Sequence, residues 1–209
     1  ICRTGCARSV ADVSGLRIEP VSGSALVPYL EPLADLRMTV FREWPYLYEG
    51  SRDYEMRYLD VYVRSPRSLV ALAWDGEHCV GATSVLPLAE AEAEMQKPFR
   101  ERGMPLERYA YFGESMLLAA YRGRGVGVRF FDLREAHARR LGLSHCVFCA
   151  VDRPASHPLK PADHVANDAF WSRRGYTRME SVTSEFRWPD VGEPEDSVKQ
   201  LTFWQRVLA

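Results

Sequence analysis

Between residues 109 and 141 an apolar stretch, YAYFGESMLLA, runs through Arg122-Gly123-Arg124-Gly125-Val126-Gly127 into a segment that repeats Val126, Phe130, Leu133, His137 and Leu141 at helical spacing. No other feature constrains the fold as much. A strand must end, turn sharply and feed a helix, for which Gly142 is a natural C-cap. Glycines at such a junction adopt conformations closed to other residues and let the main chain approach a ligand. The first N–H groups of the helix have no acceptor within it, and the helix dipole adds positive potential there. Such a place suits a pyrophosphate, and Arg122 and Arg124 add charge that can screen it. The plainer alternative is a tight turn that binds nothing, which three glycines and two arginines in so short a run argue against. A dinucleotide-binding loop would need G-x-G-x-x-G. Counted from Gly123, the last glycine of that pattern is replaced by Val128, and Asp152 stands well beyond the roughly 20 residues expected for a ribose-binding acid.

The rest of the chain alternates strand and helix patterns. LRIEPV (16–21) reads as a strand, and residues 28–43 place Leu30, Leu33, Leu36, Val40 and Phe41 at helical spacing. An aromatic loop, FREWPYLYEG, precedes a second helix over about 53–63. SLVALAW (68–74) and VGATSVLPL (80–88) form a hairpin about Asp75-Gly76. Residues 89–104 are helical or partly ordered, and 109–119 is one long strand. A buried strand over 144–151, a Pro- and His-rich loop (153–164) and a short helix (165–174) ended by Gly175 follow; strands at 177–188 and 198–208 close the chain. The order β-αα-βββ-α-β-α-ββ predicts an α/β domain with a mixed sheet. Residues 1–15 read as a poorly ordered N-terminal extension and 16–209 as a single domain.

A formal net charge of −1 gives no electrostatic case for a nucleic-acid partner, and no apolar run approaches the ~20 residues needed to span a bilayer. The five cysteines are odd in number and scattered, which predicts reduced thiols and a cytoplasmic setting. Cys146 and Cys149 form a C-x-x-C, but an odd spacing on a strand points them to opposite faces, against a metal or redox pair. No cysteine has a basic partner at a readable spacing, which disfavours a covalent thiol route. His157 and His164 read as exposed loop residues, and His137 as a core residue; no metal site is expected.

Arg122, Gly125 and Gly127 match the Arg/Gln-x-x-Gly-x-Gly/Ala loop of the GNAT superfamily of N-acetyltransferases. The neighbourhood resembles that family too. An ESMLLA strand precedes the loop, a buried HCVFCAV strand follows the helix, and NDAFWSRRGY (167–176) is similar to the family's Asn-containing helix. The likeness covers about residues 68–188, and the first 65 fit by element order alone. It implies a GNAT-like fold, a mixed central sheet of about seven strands with helices on both faces. It also implies transfer of acetyl from acetyl-CoA, without a metal, to a primary amine of a small molecule or peptide in a ternary complex. Family members often pair, which implies a homodimer.

The resemblance lays the pantetheine along Leu117, Leu118 and Ala119, with the Leu118 N–H near the thioester oxygen, and puts the pyrophosphate on the amides from Arg124 to Val128, within the run Arg122, Gly123, Arg124, Gly125, Val126, Gly127 and Val128. Asn167 either touches the pantetheine or caps its helix. Glu114 is the candidate base. On a regular strand it shares a face with Phe112, Met116 and Leu118, where an apolar setting would raise its pKa; the alternative is a glutamate turned to solvent or paired with an arginine. Trp44, Tyr46 and Tyr48, with Tyr54 and Tyr58 behind them, are expected to wall the acceptor pocket, although core packing explains such rings equally well. Trp171 stands where the family often has a proton-donating Tyr, so Tyr121, Tyr176, water or no acid at all takes that role. That departure also favours a second reading, a module that binds acyl-CoA without turning it over.

Overall fold

Near-continuous buried runs on either side of Asp75-Gly76 build the centre of the sheet: β3 (Leu69–Asp75) and β4 (His78–Pro87) pair antiparallel, and Gly76 takes the turn at φ 56°. The protein's structure, a computed structural model, describes residues 10–13 and 15–208. β1 (Val10–Val13) and β2 (Leu16–Val21) lie beside β3. The strand β1 falls inside the expected extension over 1–15, most of which lies outside the described residues.

The helices follow the apolar spacing closely. A 3-10 turn (Gly23–Tyr29) leads into α1 (Leu30–Phe41), and α2 (Arg52–Arg64) and α3 (Ala93–Arg100) follow. These pack on one face, with Leu33, Leu36, Leu59, Tyr62 and Phe99 closing over Val70, Leu72 and Phe203. On the other face α4 (Val126–Arg140) and α5 (Asp168–Arg173) set Phe131, Ala138 and Phe170 against Val85, Phe112 and Trp204. With β5 (Tyr109–Tyr111), β7 (His145–Val151), β8 (Thr177–Trp188) and β9 (Ser197–Val207), the sheet reads β1-β2-β3-β4-β5-β7-β9-β8.

The expected long strand over 109–119 is two strands, β5 (Tyr109–Tyr111) and β6 (Ser115–Leu117). With β1, this split turns seven expected strands into nine among the described residues. The break is a bulge. Leu86 stands opposite Tyr111, and the Ser84 N–H reaches Glu114 O, so Val85 alone faces both Phe112 and Gly113. Two neighbours claim successive residues. The Phe112 N–H donates to Val147 O of β7 at 2.8 Å, whereas Glu114 is held to β4: its carbonyl accepts from the Thr83 hydroxyl, and its N–H donates to Ser84 Oγ. β5 therefore runs parallel to β7, β6 pairs only with β4, and the sheet opens between β6 and β7.

Only a residue without a side chain fits at the bulge. A Cβ on Gly113 would lie 1.9 Å from Tyr62 Oη, and Tyr62 is fully buried. Gly113→Ala is therefore expected to destabilise the fold by about 1–3 kcal/mol. Chemical denaturation checks this, and adding Tyr62→Phe, which removes the obstructing hydroxyl, should recover most of the loss.

Candidate active site

The bend before α4 carries the strongest sequence signal, and its glycines differ in role. Gly123 and Gly125 sit at φ 75° and 83°, where L side chains are strained, and Gly125 caps α4. Gly127 lies in the helix with an ordinary backbone, and an added Cβ would meet nothing within 4 Å. Neither geometry nor packing asks for glycine there, so its effect is to keep the approach to the helix end clear. The Arg129 N–H is bonded to Gly125 O, which leaves the amides of Val126, Gly127 and Val128 without acceptors in the helix. Arg122 is a tie: its Nε donates to Leu117 O at 3.0 Å and its Nη2 to Glu43 at 2.6 Å, joining the bend to β6 and to the loop after α1. Arg124 lies over the Tyr121 ring at 5.3 Å.

Register decides which amides face the opening beside β6. The Leu118 N–H donates to Val80 O at 2.9 Å and thus points into the sheet, away from where a thioester oxygen was expected. In an antiparallel pair the intervening residues turn their polar groups the other way. Ser115 and Leu117 therefore face the opening, where Arg122 already binds Leu117 O. The Leu118 N–H, expected to meet a thioester oxygen, is thus already engaged within the sheet. Ala119 begins a short 3-10 turn that leads into the bend. Asn167 occupies the N-cap position of α5 but makes no capping side-chain bond and is exposed.

Beside the bulge is a cavity of about 90 Å³. Its floor includes Tyr111, Gly113, Glu114 and Cys149, and its walls are Tyr46 and Tyr48 from the loop after α1, Tyr54 and Tyr58 from α2, and Phe186 and Trp188 from β8. Tyr46 and Tyr48 thus line this cavity. Trp44 does not line the cavity; its ring packs against His157 and His164 at 5.1 and 5.9 Å. The wall is clasped from behind. Arg153 donates to Pro45 O, to Tyr46 O and to both carboxylate oxygens of Asp190, which also pairs with Lys199.

Glu114 is 3% exposed, yet its surroundings are not the apolar ones expected. Arg37 of α1 reaches both Glu114 and Glu55 of α2, forming a buried carboxylate–guanidinium–carboxylate row, with the guanidinium 4.0 Å from the Tyr58 ring. Burial works against the Arg37 charge, but Glu114, Tyr58 and Glu55 outweigh it and hold the group firmly protonated. Glu114 lines the cavity, and its Oε1 is buried with no hydrogen-bond partner among the described residues. Arg37 is the important residue that pattern reading passed over. It lies four residues after Leu33 and three before Val40, on the buried stripe, where an arginine signals a buried partner.

The sequence matches the model of the acetyltransferase (GNAT) family over residues 33–160, more than half of the chain. The chain belongs to the GNAT family of acetyltransferases. The structure is similar to an acetyltransferase of Streptococcus agalactiae (16% identity, 93% of this chain and 99% of that one, TM-score 0.57). It also resembles yncA of Salmonella typhimurium, solved with its cofactor acetyl-CoA (14%, 94% and 95%, TM-score 0.54), and the PaiA N-acetyltransferase of Thermoplasma acidophilum, solved with coenzyme A (14%, 91% and 99%, TM-score 0.52). At these identities the likeness is one of fold. No curated protein matches the sequence significantly.

None of the residues considered for a proton donor in this GNAT chain reaches the cavity. Trp171 packs on Phe148 and Trp204, the Tyr121 hydroxyl donates to Asp75, and the buried Tyr176 hydroxyl donates to Glu135. Tyr111 does line it, and burial holds its hydroxyl neutral. Burial likewise pushes the Cys149 thiol up to about 12, so it carries no thiolate at neutral pH. Among the described residues no His, Cys, Asp and Glu side chains gather in a metal-binding group, and no helix is long and apolar enough to cross a membrane.

Removing Arg37 would strand two buried carboxylates. Arg37→Met is expected to lower stability at pH 8 by about 3–5 kcal/mol. Stranded carboxylates bind protons more tightly folded than unfolded, so the deficit should shrink as pH falls. Denaturation of both proteins at pH 5 and pH 8 measures the difference.

Proposed function

We propose that the protein transfers an acetyl group from acetyl-CoA to a primary amine by direct attack while both substrates are bound. One observation carries this reading: Glu114, which lines the cavity, directly precedes β6, and β6 leads through a short 3-10 turn to the helix end whose first amides have no acceptor in the helix, so the three stand in order along one stretch of chain. The cavity holds an amine, the opening beside β6 an extended arm, and the helix end a pyrophosphate. Support also comes from the acetyl-CoA and CoA bound to structural neighbours of the same fold.

The residues divide the work as follows. Amides of Val126, Gly127 and Val128 grip the pyrophosphate, in the space that Gly127 keeps clear, with Arg124 alongside. The arm lies along Leu117 and Ala119, with Asn167 near it. The Leu117 N–H donates to the thioester oxygen as negative charge grows there. Glu114 takes a proton from the incoming ammonium, directly or through water, while Arg37 keeps its carboxylate in place. The amine nitrogen then bonds to the carbonyl carbon as the carbon–sulfur bond breaks. CoA leaves as a thiolate, which needs no dedicated acid because thiols are already fairly acidic, and the second proton lost by the nitrogen passes to that sulfur or to water. Tyr46 and Tyr48 present ring faces to the acceptor.

Two variants test separate parts. Gly127→Val should leave the melting temperature unchanged yet weaken CoA binding by calorimetry about tenfold or more, roughly 1.4 kcal/mol. Glu114→Gln should keep CoA binding while lowering kcat/KM about 10²–10⁴-fold and flattening its pH profile, read by release of free CoA over a panel of amines. An unchanged rate and profile would remove Glu114 as the base. Tight acetyl-CoA binding with no release from any amine would instead make the chain a sensor.

A further inference from the structure

A wider opening of about 470 Å³ adjoins the aromatic cavity, and Tyr54, Phe186 and Arg187 line both. The remaining lining of this mouth is acidic: Glu92 and Glu94 at the start of α3, and Glu185 on β8. None of these three carboxylates has an ion-pair partner among the described residues. Arg187 is the single cation lining the mouth, and its guanidinium is turned to Asp196 O. Deeper in, Arg37 is fully engaged by Glu55 and Glu114 and offers no charge to a substrate carboxylate. The acidic mouth does not stand alone, because it leads to a buried Glu114 whose Oε1 has no hydrogen-bond partner.

The charges are close enough to act on one another. Burial, then Glu94 and Glu114, hold the Glu92 carboxyl above its usual range despite Arg37 and Arg64. A positive charge seated among Glu92, Glu94 and Glu185 relieves that repulsion, whereas a substrate carboxylate adds to it. The inner cavity, at about 90 Å³, admits a slender alkyl chain between aromatic walls but no bulky head. The wide mouth takes the head.

Resting on the acetyl-transfer reading, we propose that the acceptor is a linear aliphatic amine carrying a second positive charge at its far end. Its reacting nitrogen lies at Glu114, its chain runs past Tyr54 and Phe186, and its distal ammonium sits between Glu92 and Glu185.

Three probes of equal reach test this: 1,6-diaminohexane, n-hexylamine and 6-aminohexanoate. With acetyl-CoA saturating, kcat/KM from CoA release should be about tenfold higher for the diamine than for hexylamine at low salt, and lowest for the aminohexanoate. The diamine's advantage should shrink as salt is raised and fall toward one in the E92Q/E185Q double variant, whose fold is checked by its melting curve. A diamine no better than hexylamine, or an advantage that survives the double variant, overturns the proposal. Calorimetry on the CoA-saturated protein separates it from the parent reading. Diamine binding that depends on Glu92 and Glu185, without CoA release, sustains the subsite and overturns acetyl transfer. Absence of both binding and release for the diamine overturns the subsite.

Discussion

The architecture of the site depends on one competition for hydrogen bonds. At Phe112 the chain is claimed by β7, and two residues later Glu114 is claimed by Thr83 and Ser84 of β4. A strand cannot satisfy both neighbours in regular register, so an extra residue is extruded and the sheet parts. Gly113 absorbs the extra residue because Tyr62 leaves no room for a side chain. Arg134, buried in α4, adds a third hold by donating to Glu114 O from the opposite face, its guanidinium 4.4 and 4.3 Å from the Phe112 and Phe131 ring centroids. The same bulge that opens the sheet thus fixes the carboxylate beside the opening.

Around that carboxylate the protein spends buried charge sparingly. Arg37 lies between Glu55 and Glu114, so one cation faces two carboxylates. Isolated, either carboxylate would be costly to bury. Held this way, Glu114 lines the cavity with Oε1 left without a hydrogen-bond partner, which an incoming ammonium would supply in the proposed reaction. The aromatic wall is positioned with the same economy: Arg153 and Asp190 anchor the loop carrying Tyr46 through main-chain carbonyls, leaving the rings to face the cavity.

Much of this was legible along the chain because it is local. The αL glycines before α4, the helical stripe after them and the hairpin at Gly76 follow from conformational limits acting over a few residues. The continuity of residues 109–119 was misread for the same reason. In YAYFGESMLLA only Gly113 hints at a bulge, and it does not say which partner strand stops there and which begins, since partner choice is a long-range matter. Trp44 illustrates the limit for aromatic residues: its loop neighbours Tyr46 and Tyr48 face the cavity while its own ring meets two histidines more than a hundred residues away.

The sequence alone determined the family, the helix end that suits a pyrophosphate, and Glu114 as a carboxylate out of place on a buried strand. Those rest on backbone geometry and on residue types whose burial is unfavourable, both readable at a single position. Tertiary structure alone decided that Leu117 rather than Leu118 faces the opening, that Arg37 partners Glu114, and that acidic residues from α3 and β8 meet at one mouth. Each of these depends on register or on the meeting of distant elements. Register changes by a single extruded residue, and a one-residue shift on a strand reverses every direction that follows.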